Sequence, residues 1–140
     1  MIAVDTSALM AIVLDEPQAD ACMAALEAES DLLISAGTVA EALIVAAHRG
    51  IAAEMSGLID GLGFEVVAVT PASARRIAEA YAQWGKGIHP AALNFGDCFS
   101  YEVAKEHACR LLYVGADFSR TDIEGCVLNV ARRGMSFSGR

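Results

Sequence analysis

Short, almost continuously apolar runs recur along the chain at residues 2–4, 32–35, 64–69 and 111–114, each bounded by polar residues or glycine. Strands buried on both faces of a parallel sheet have this look, whereas strands covered on one face alternate apolar with polar residues. Alanine-rich stretches of helical character lie between them, at about residues 7–14, 17–29, 38–49, 51–62, 72–84 and 97–108. Pro17 and Pro71 suit first-turn helix positions, with Glu16 and Thr70 ahead of them. Arg49-Gly50 breaks two helices into an αα-hairpin, and residues 126–130 are a candidate further edge strand. The alternation predicts an α/β fold with right-handed crossovers, in which helices flank a central, mostly parallel sheet of about 4–5 strands.

A chain of 140 residues suits one ordinary domain, and a hydrophobic content of 55% argues for a filled core rather than disorder. We assign residues 1–130 to that domain and residues 131–140 to a C-terminal tail. No apolar run approaches the roughly 18–20 residues that span a bilayer. The N-terminus has no basic region ahead of an apolar stretch, so a cytoplasmic location is expected. Cys22, Cys98, Cys109 and Cys126 lack zinc-ligand spacing and read as small buried thiols in a reducing compartment. His48, His89 and His107 form no metal-binding pattern and read as surface or helix-end residues. The net charge of −8 counts against casual nucleic-acid binding, unless acids share a cation that reverses the local field. Arg75-Arg76, Lys86 with His89, and Arg132-Arg133 are candidate basic rims or plain solvated charges.

Four acids stand at the edges of apolar segments: Asp5, Glu41, Asp97 and Asp117. A carboxylate beside a buried segment is costly unless something pairs with it. Glu41 has a plain alternative, because Thr38-Val39-Ala40-Glu41 has the form of a capping box. Asp97 has a similar one, as the third helical residue after an Asn94 cap. In parallel α/β sheets, however, ligand sites gather beyond the C-terminal strand ends. Asp5 and Asp117 follow strands there, and Glu41 and Asp97 are expected in first helical turns near the same edge.

Crowded carboxylates without a cation would raise some of their own pKa values. Hard oxygen donors suit Mg²⁺ or Mn²⁺, and such a centre suits phosphodiester hydrolysis. Thr6 or Ser7 adds a hydroxyl able to hold a bound water or a phosphate oxygen, and Asp122 is a further candidate near Asp117. The chain contains no phosphate-binding loop, dinucleotide fingerprint or serine nucleophile elbow, and Ser7 rather than a second acid stands two residues after Asp5.

Val4-Asp5-Thr6-Ser7-Ala8-Leu9, Val39-Ala40-Glu41, the 93–101 stretch and the 111–123 stretch together resemble a PIN domain, and more narrowly a VapC-type toxin of bacterial toxin–antitoxin pairs. The resemblance implies a single PIN-like domain and an Mg²⁺- or Mn²⁺-dependent ribonuclease. Its acidic quartet is Asp5, Glu41, Asp97 and Asp117, with Thr6 or Ser7 as the accompanying hydroxyl. It also implies an RNA substrate, a homodimer, and a VapB-like antitoxin whose C-terminal segment blocks the site. Ala116 stands where the family often carries Asn or Asp, which would weaken a second metal position or shift that role to Asp122.

The leading expectation is therefore a growth-inhibiting, metal-dependent endoribonuclease. Two alternatives are a PIN-like protein acting mainly through partner binding, and a processing or repair nuclease.

Overall fold

The computed structural model describes residues 1–126 and 128. Its elements run β1 (Ile2–Val4), α1 (Thr6–Val13), α2 (Ala19–Glu27), β2 (Leu32–Ser35), α3 (Ala36–His48), α4 (Ala52–Leu62), β3 (Glu65–Val67), α5 (Pro71–Trp84), α6 (Phe95–Glu106) and β4 (Arg110–Leu112). All pairings are parallel, in the order β3-β2-β1-β4. The expected α/β architecture forms, with four strands among the described residues.

The apolar runs become strands because both of their faces are covered. Ile2, Val4, Leu32, Ile34 and Leu112 point into a core shared with α1 to α4. Ala3, Leu33 and Leu111, one residue out of phase, meet α5 and α6 on the opposite side. β1 is central and fully buried, with Ile2 facing Leu32 on one flank and Arg110 on the other.

β3 departs from the expected buried strand. It is shorter than 64–69, and Val66 is 51% exposed because β3 lies at the sheet edge. The candidate strand at 126–130 falls largely outside the described residues, as does the tail at 131–140. Gly125 makes one isolated parallel bridge to Leu111.

Local signals fix most helix starts. Thr70 caps α5 with Pro71 at its first position and Ser73 completing a capping box. Pro17 does not play that part: α2 begins at Ala19, so Pro17 lies in the turn before it. Arg49 ends α3, and Gly50 turns the chain with φ +73°, a left-handed value that glycine adopts without a Cβ penalty. Cys22 and Cys98 are buried thiols, and burial pushes both up to about 11. Cys109 and Cys126 are only partly buried, contrary to expectation.

The strand order creates one point where the chain changes direction across the sheet. From β1 it proceeds to β2 and β3 on one side, then returns through α5 and α6 to β4 on the other. The crevice beyond the C-terminal ends of β1 and β4 is thus a topological switch point, the place where α/β sheets put ligands.

Candidate active site

Asp5 is the first residue after β1 and the N-cap of α1. Its backbone N–H donates to the Leu112 carbonyl at 3.0 Å, which ties it to the end of β4. Both carboxylate oxygens are held. Oδ2 accepts from the Ser7 backbone N–H at 3.1 Å and from Ser7 Oγ at 2.7 Å. Oδ1 accepts from Ser100 Oγ at 2.5 Å. Ser7 Oγ in turn accepts from the Val114 N–H at 3.0 Å, so β4's outgoing chain is pinned to the same cap.

Glu41 does not form the capping box suggested by its sequence. α3 starts earlier, at Ala36, and its cap is Ser35, whose side chain accepts from the Gly37 N–H at 3.1 Å. Thr38 is consequently inside the helix, fully buried, with its hydroxyl 3.3 Å from Ser100 Oγ. Glu41 falls in the second turn instead of the first, and its Oε1 accepts from Thr6 Oγ1 at 2.6 Å. Burial raises its carboxyl pKa, with the Asp5 charge adding to the rise and the Thr6 bond opposing it.

Asp97 does form the expected cap. Asn94 Oδ1 accepts from the Asp97 N–H at 2.8 Å, and Asp97 Oδ2 accepts from the Asn94 N–H at 3.0 Å. The capping role and a role in the site are compatible, because α6 begins at the edge where α1 begins and where β4 ends. Its carboxyl is pushed up to about 7 by burial, and by the charges of Asp5, Asp117 and Glu41, against the Asn94 bond. Three acids from three other segments thus act on one carboxylate.

Asp117 lies in the turn after β4, exposed, and among the described residues it makes no hydrogen bond or ion pair. Its side chain is the uncommitted member of the four. Asp122 is not among the charges that act on Asp97. Tyr101 Oη donates to its Oδ1 at 2.5 Å and Lys105 Nζ to its Oδ2 at 2.9 Å. Burial would raise the Asp122 carboxyl, but these two bonds hold it below its usual range. Of the candidate basic rims, Arg76 pairs with Glu102 and Glu106, His89 packs edge-on against Trp84 at 4.7 Å, and Arg132-Arg133 lies outside the described residues.

Sequence reasoning missed Ser100, Thr38 and Gly96. Ser100 stands three residues after Asp97, on the same face of α6, and is 2% exposed. A serine with apolar neighbours at that spacing was the available signal. Gly96 is where Glu41 rests: a Cβ there would overlap the Glu41 carboxylate. Gly37 similarly admits the Phe99 ring, so α3 and α6 approach closely through two glycines.

Among the described residues, no group of three or more acidic, histidine or cysteine side chains is placed to hold an ion. Mg²⁺ does not require one, since it keeps several waters and binds through one or two carboxylates. The oxygen donors and the excess negative charge around Asp97 fit a hard divalent cation.

Fold and site together define a parallel α/β domain with a carboxylate centre at the C-terminal edge of its sheet. The chain belongs to the PIN domain family, whose pattern matches residues 2–124. It is 42% identical over 123 residues to Ribonuclease VapC30 of Mycobacterium tuberculosis, covering 86% of this chain and 94% of that protein. Ribonuclease VapC36 of the same organism is 43% identical over 125 residues, covering 86% and 90%. Among solved structures, Mycobacterium tuberculosis VapC20, described as a Sarcin-Ricin loop cleaving toxin, superimposes with a TM-score of 0.74. The identity is 16%, and 90% of this chain and 98% of that one are covered. Among the described residues no helix is long and apolar enough to cross a membrane.

Proposed function

We propose that this chain is an endoribonuclease that hydrolyses RNA phosphodiester bonds with Mg²⁺ or Mn²⁺, and that it acts as the toxin of a VapBC-type pair. The observation that carries the reading is the convergence of Asp5, held by Ser7 and Ser100, Glu41, held by Thr6, and Asp97, held by Asn94, where burial and the neighbouring acids push the Asp97 carboxyl up to about 7. A site that holds several carboxylates together at such cost is suited to a cation. Identity above 40% to proteins named VapC ribonucleases supports the same substrate class.

Asp5, Glu41, Asp97 and Asp117 would hold the cation, which when bound offsets charge on the scissile phosphate and makes water more acidic. The chain's own contribution is preorganisation. Ser7 and Ser100 fix both oxygens of Asp5, Thr6 fixes Glu41, and Asn94 fixes Asp97. Asp117, exposed and unbonded among the described residues, is free to turn toward an incoming ion or water. Asp122, tied to Tyr101 and Lys105, has a supporting place outside this set.

A VapB-like antitoxin whose terminal segment covers the carboxylates, a homodimeric state and a cytoplasmic location complete the proposal. Expressing the chain alone in cells tests it: growth arrest relieved by Asp5→Ala is the expected result. Divalent-dependent RNA cleavage in vitro should disappear in Asp97→Asn with the fold retained. Cleavage that survives this change would sink the site assignment. If the unaltered chain neither cleaves RNA nor gives a heat of binding with Mg²⁺ or Mn²⁺, its role is partner binding.

A further inference from the structure

The turn that carries Asp117 is pinned at both ends, and neither pin touches Asp117 itself. At its start, the Val114 N–H donates to Ser7 Oγ at 3.0 Å, and Ser7 Oγ donates to Asp5. At its end, Asp122 Oδ1 accepts from Tyr101 Oη at 2.5 Å. Between the two, the Ala116 carbonyl accepts from the Ser119 N–H at 3.1 Å and the Phe118 carbonyl from the Thr121 N–H at 3.0 Å. Phe118 is buried and anchors the middle of the turn against the Tyr113 ring. The turn's other charged side chains, Asp117 and Arg120, make no ion pair among the described residues.

Tyr101 is itself built into the fold. It stands four residues after Asp97, so both lie on one side of the same helix, α6. It is buried, and its hydroxyl accepts from Trp84 Nε1 at 3.0 Å. Trp84 ends α5, and its carbonyl accepts from the Leu93 N–H at 3.0 Å, next to the Asn94 cap that holds Asp97. A chain of bonded side chains, Trp84 to Tyr101 to Asp122, therefore joins the segment that presents Asp97 to the turn that presents Asp117. It does so without passing through the carboxylates of the centre.

We propose that Tyr101 is a positioning residue for the carboxylate centre: through Asp122 it holds the 115–122 turn so that Asp117 stays beside Asp97 before a cation arrives. The inference deepens the cation-site reading above and rests on it. Repulsion is the first argument. The Asp117 charge acts on Asp97, so without a cation the two carboxylates push the exposed turn away from α6. A charge-assisted bond from a helix to the far end of the turn resists that push. The second argument is that the bond is obligatory. Trp84 Nε1 can only donate, so the Tyr101 hydroxyl needs an acceptor of its own, and Asp122 is the one it has among the described residues. The Lys105 pair on Asp122 is half-exposed and holds the turn less firmly.

The test is calorimetric titration with Mg²⁺ at pH 8 of the unaltered chain, Tyr101→Phe, Asp117→Asn and the double variant. Tyr101→Phe should weaken Mg²⁺ binding about tenfold, the low end for groups that hold metal ligands in place. In the Asp117→Asn background the same change should have no further effect, because Tyr101 acts through Asp117. Asp122→Asn, an exposed substitution that keeps the phenol in the core, should weaken binding like Tyr101→Phe and serves if the latter fails to fold. Cleavage at saturating Mg²⁺ should be retained in both, with the Mg²⁺ needed for half-maximal rate raised by the same factor. A merely structural tyrosine would lower the melting temperature and leave Mg²⁺ affinity alone. That result, or equal weakening with and without Asp117, overturns the inference. An unaltered chain that takes up no Mg²⁺ defeats the cation-site reading and the inference together, whereas Mg²⁺ binding indifferent to Tyr101→Phe and Asp122→Asn defeats the inference alone.

Discussion

Glu41 rests on Gly96: the carboxylate from the second turn of α3 occupies the space that a Cβ at the start of α6 would fill. This places a negative group against the N-terminal turn of α6, where the helix dipole favours it. It also makes Gly96 a functional position without chemistry of its own. Gly96→Ala should improve helix propensity by roughly 1 kcal/mol, yet displace the far end of a flexible side chain. The expected outcome is a melting temperature near that of the parent protein, with RNA cleavage reduced by tenfold or more on the scale of about 1.4 kcal/mol per decade. Gly37→Ala is the contrast. There the obstructing group is the packed Phe99 ring, so thermal melting should fall clearly.

Ser100 and Asp5 form a second buried relationship, a 2.5 Å bond from hydroxyl to carboxylate with Thr38 behind it. Ser100→Ala removes a charge-assisted bond from a carboxylate that is 4% exposed. The loss should be roughly 1.5–3 kcal/mol in urea denaturation. Thr38→Ala, one step removed and not bonded to the charge, should cost less. If the two variants were equally destabilised, the Asp5 bond would not be the source of the effect.

The parallel sheet was legible because residues 2–4, 32–35 and 111–114 are apolar without alternation, which only a doubly covered strand permits. The acids were legible for a related reason, since Asp5 and Asp117 end such runs. Glu41 was harder. Its capping-box pattern was a valid local signal, but Ser35 three residues earlier also caps, and burying Thr38 against Ser100 selects the earlier start. Contacts across the fold, such as Ser100 with Asp5 and Gly96 with Glu41, depend on how α6 packs and carry no pattern along the chain. Nearness of Asp122 to Asp117 in sequence says nothing of the Tyr101 and Lys105 side chains that α6 brings to it.

Asp97 makes stability depend on pH in a direction unusual for a carboxylate. Its folded pKa, about 7, lies above the ordinary value of 3.8, so the native state holds the proton more tightly than the unfolded chain. Between those values the native state binds more protons, and stability therefore falls as pH rises. Without divalent ions, the full penalty is reached above about pH 7 and amounts to roughly 4 kcal/mol at most. Asp97→Asn should flatten this dependence and raise the melting temperature in alkaline, metal-free buffer, though it abolishes cleavage. Adding Mg²⁺ to the parent protein should recover part of the same stability, and more at pH 8 than at pH 6, because protons and cations compete for the site. A parent protein whose stability in EDTA is level across neutral pH would contradict the cluster.

Asp117 and Asp122 separate activity from stability. Asp117 is exposed and has no hydrogen bond among the described residues, so Asp117→Asn should leave urea denaturation within about 0.5 kcal/mol of the parent. Its charge nevertheless acts on Asp97, and removing it should lower the Asp97 pKa and weaken Mg²⁺ binding together, with cleavage lost. Asp122→Asn should behave in the opposite sense. It weakens the bonds from Tyr101 and Lys105, a half-exposed pair in the latter case, and should cost about 1 kcal/mol or less while cleavage persists. Tyr101 offers a direct readout, since burial and the Asp122 charge hold its phenol up to about 12. A spectrophotometric titration should show that phenol ionising at lower pH in Asp122→Asn and unchanged in Asp117→Asn. The reverse pattern of activity, with cleavage lost in Asp122→Asn and kept in Asp117→Asn, would move the fourth carboxylate of the centre from Asp117 to Asp122.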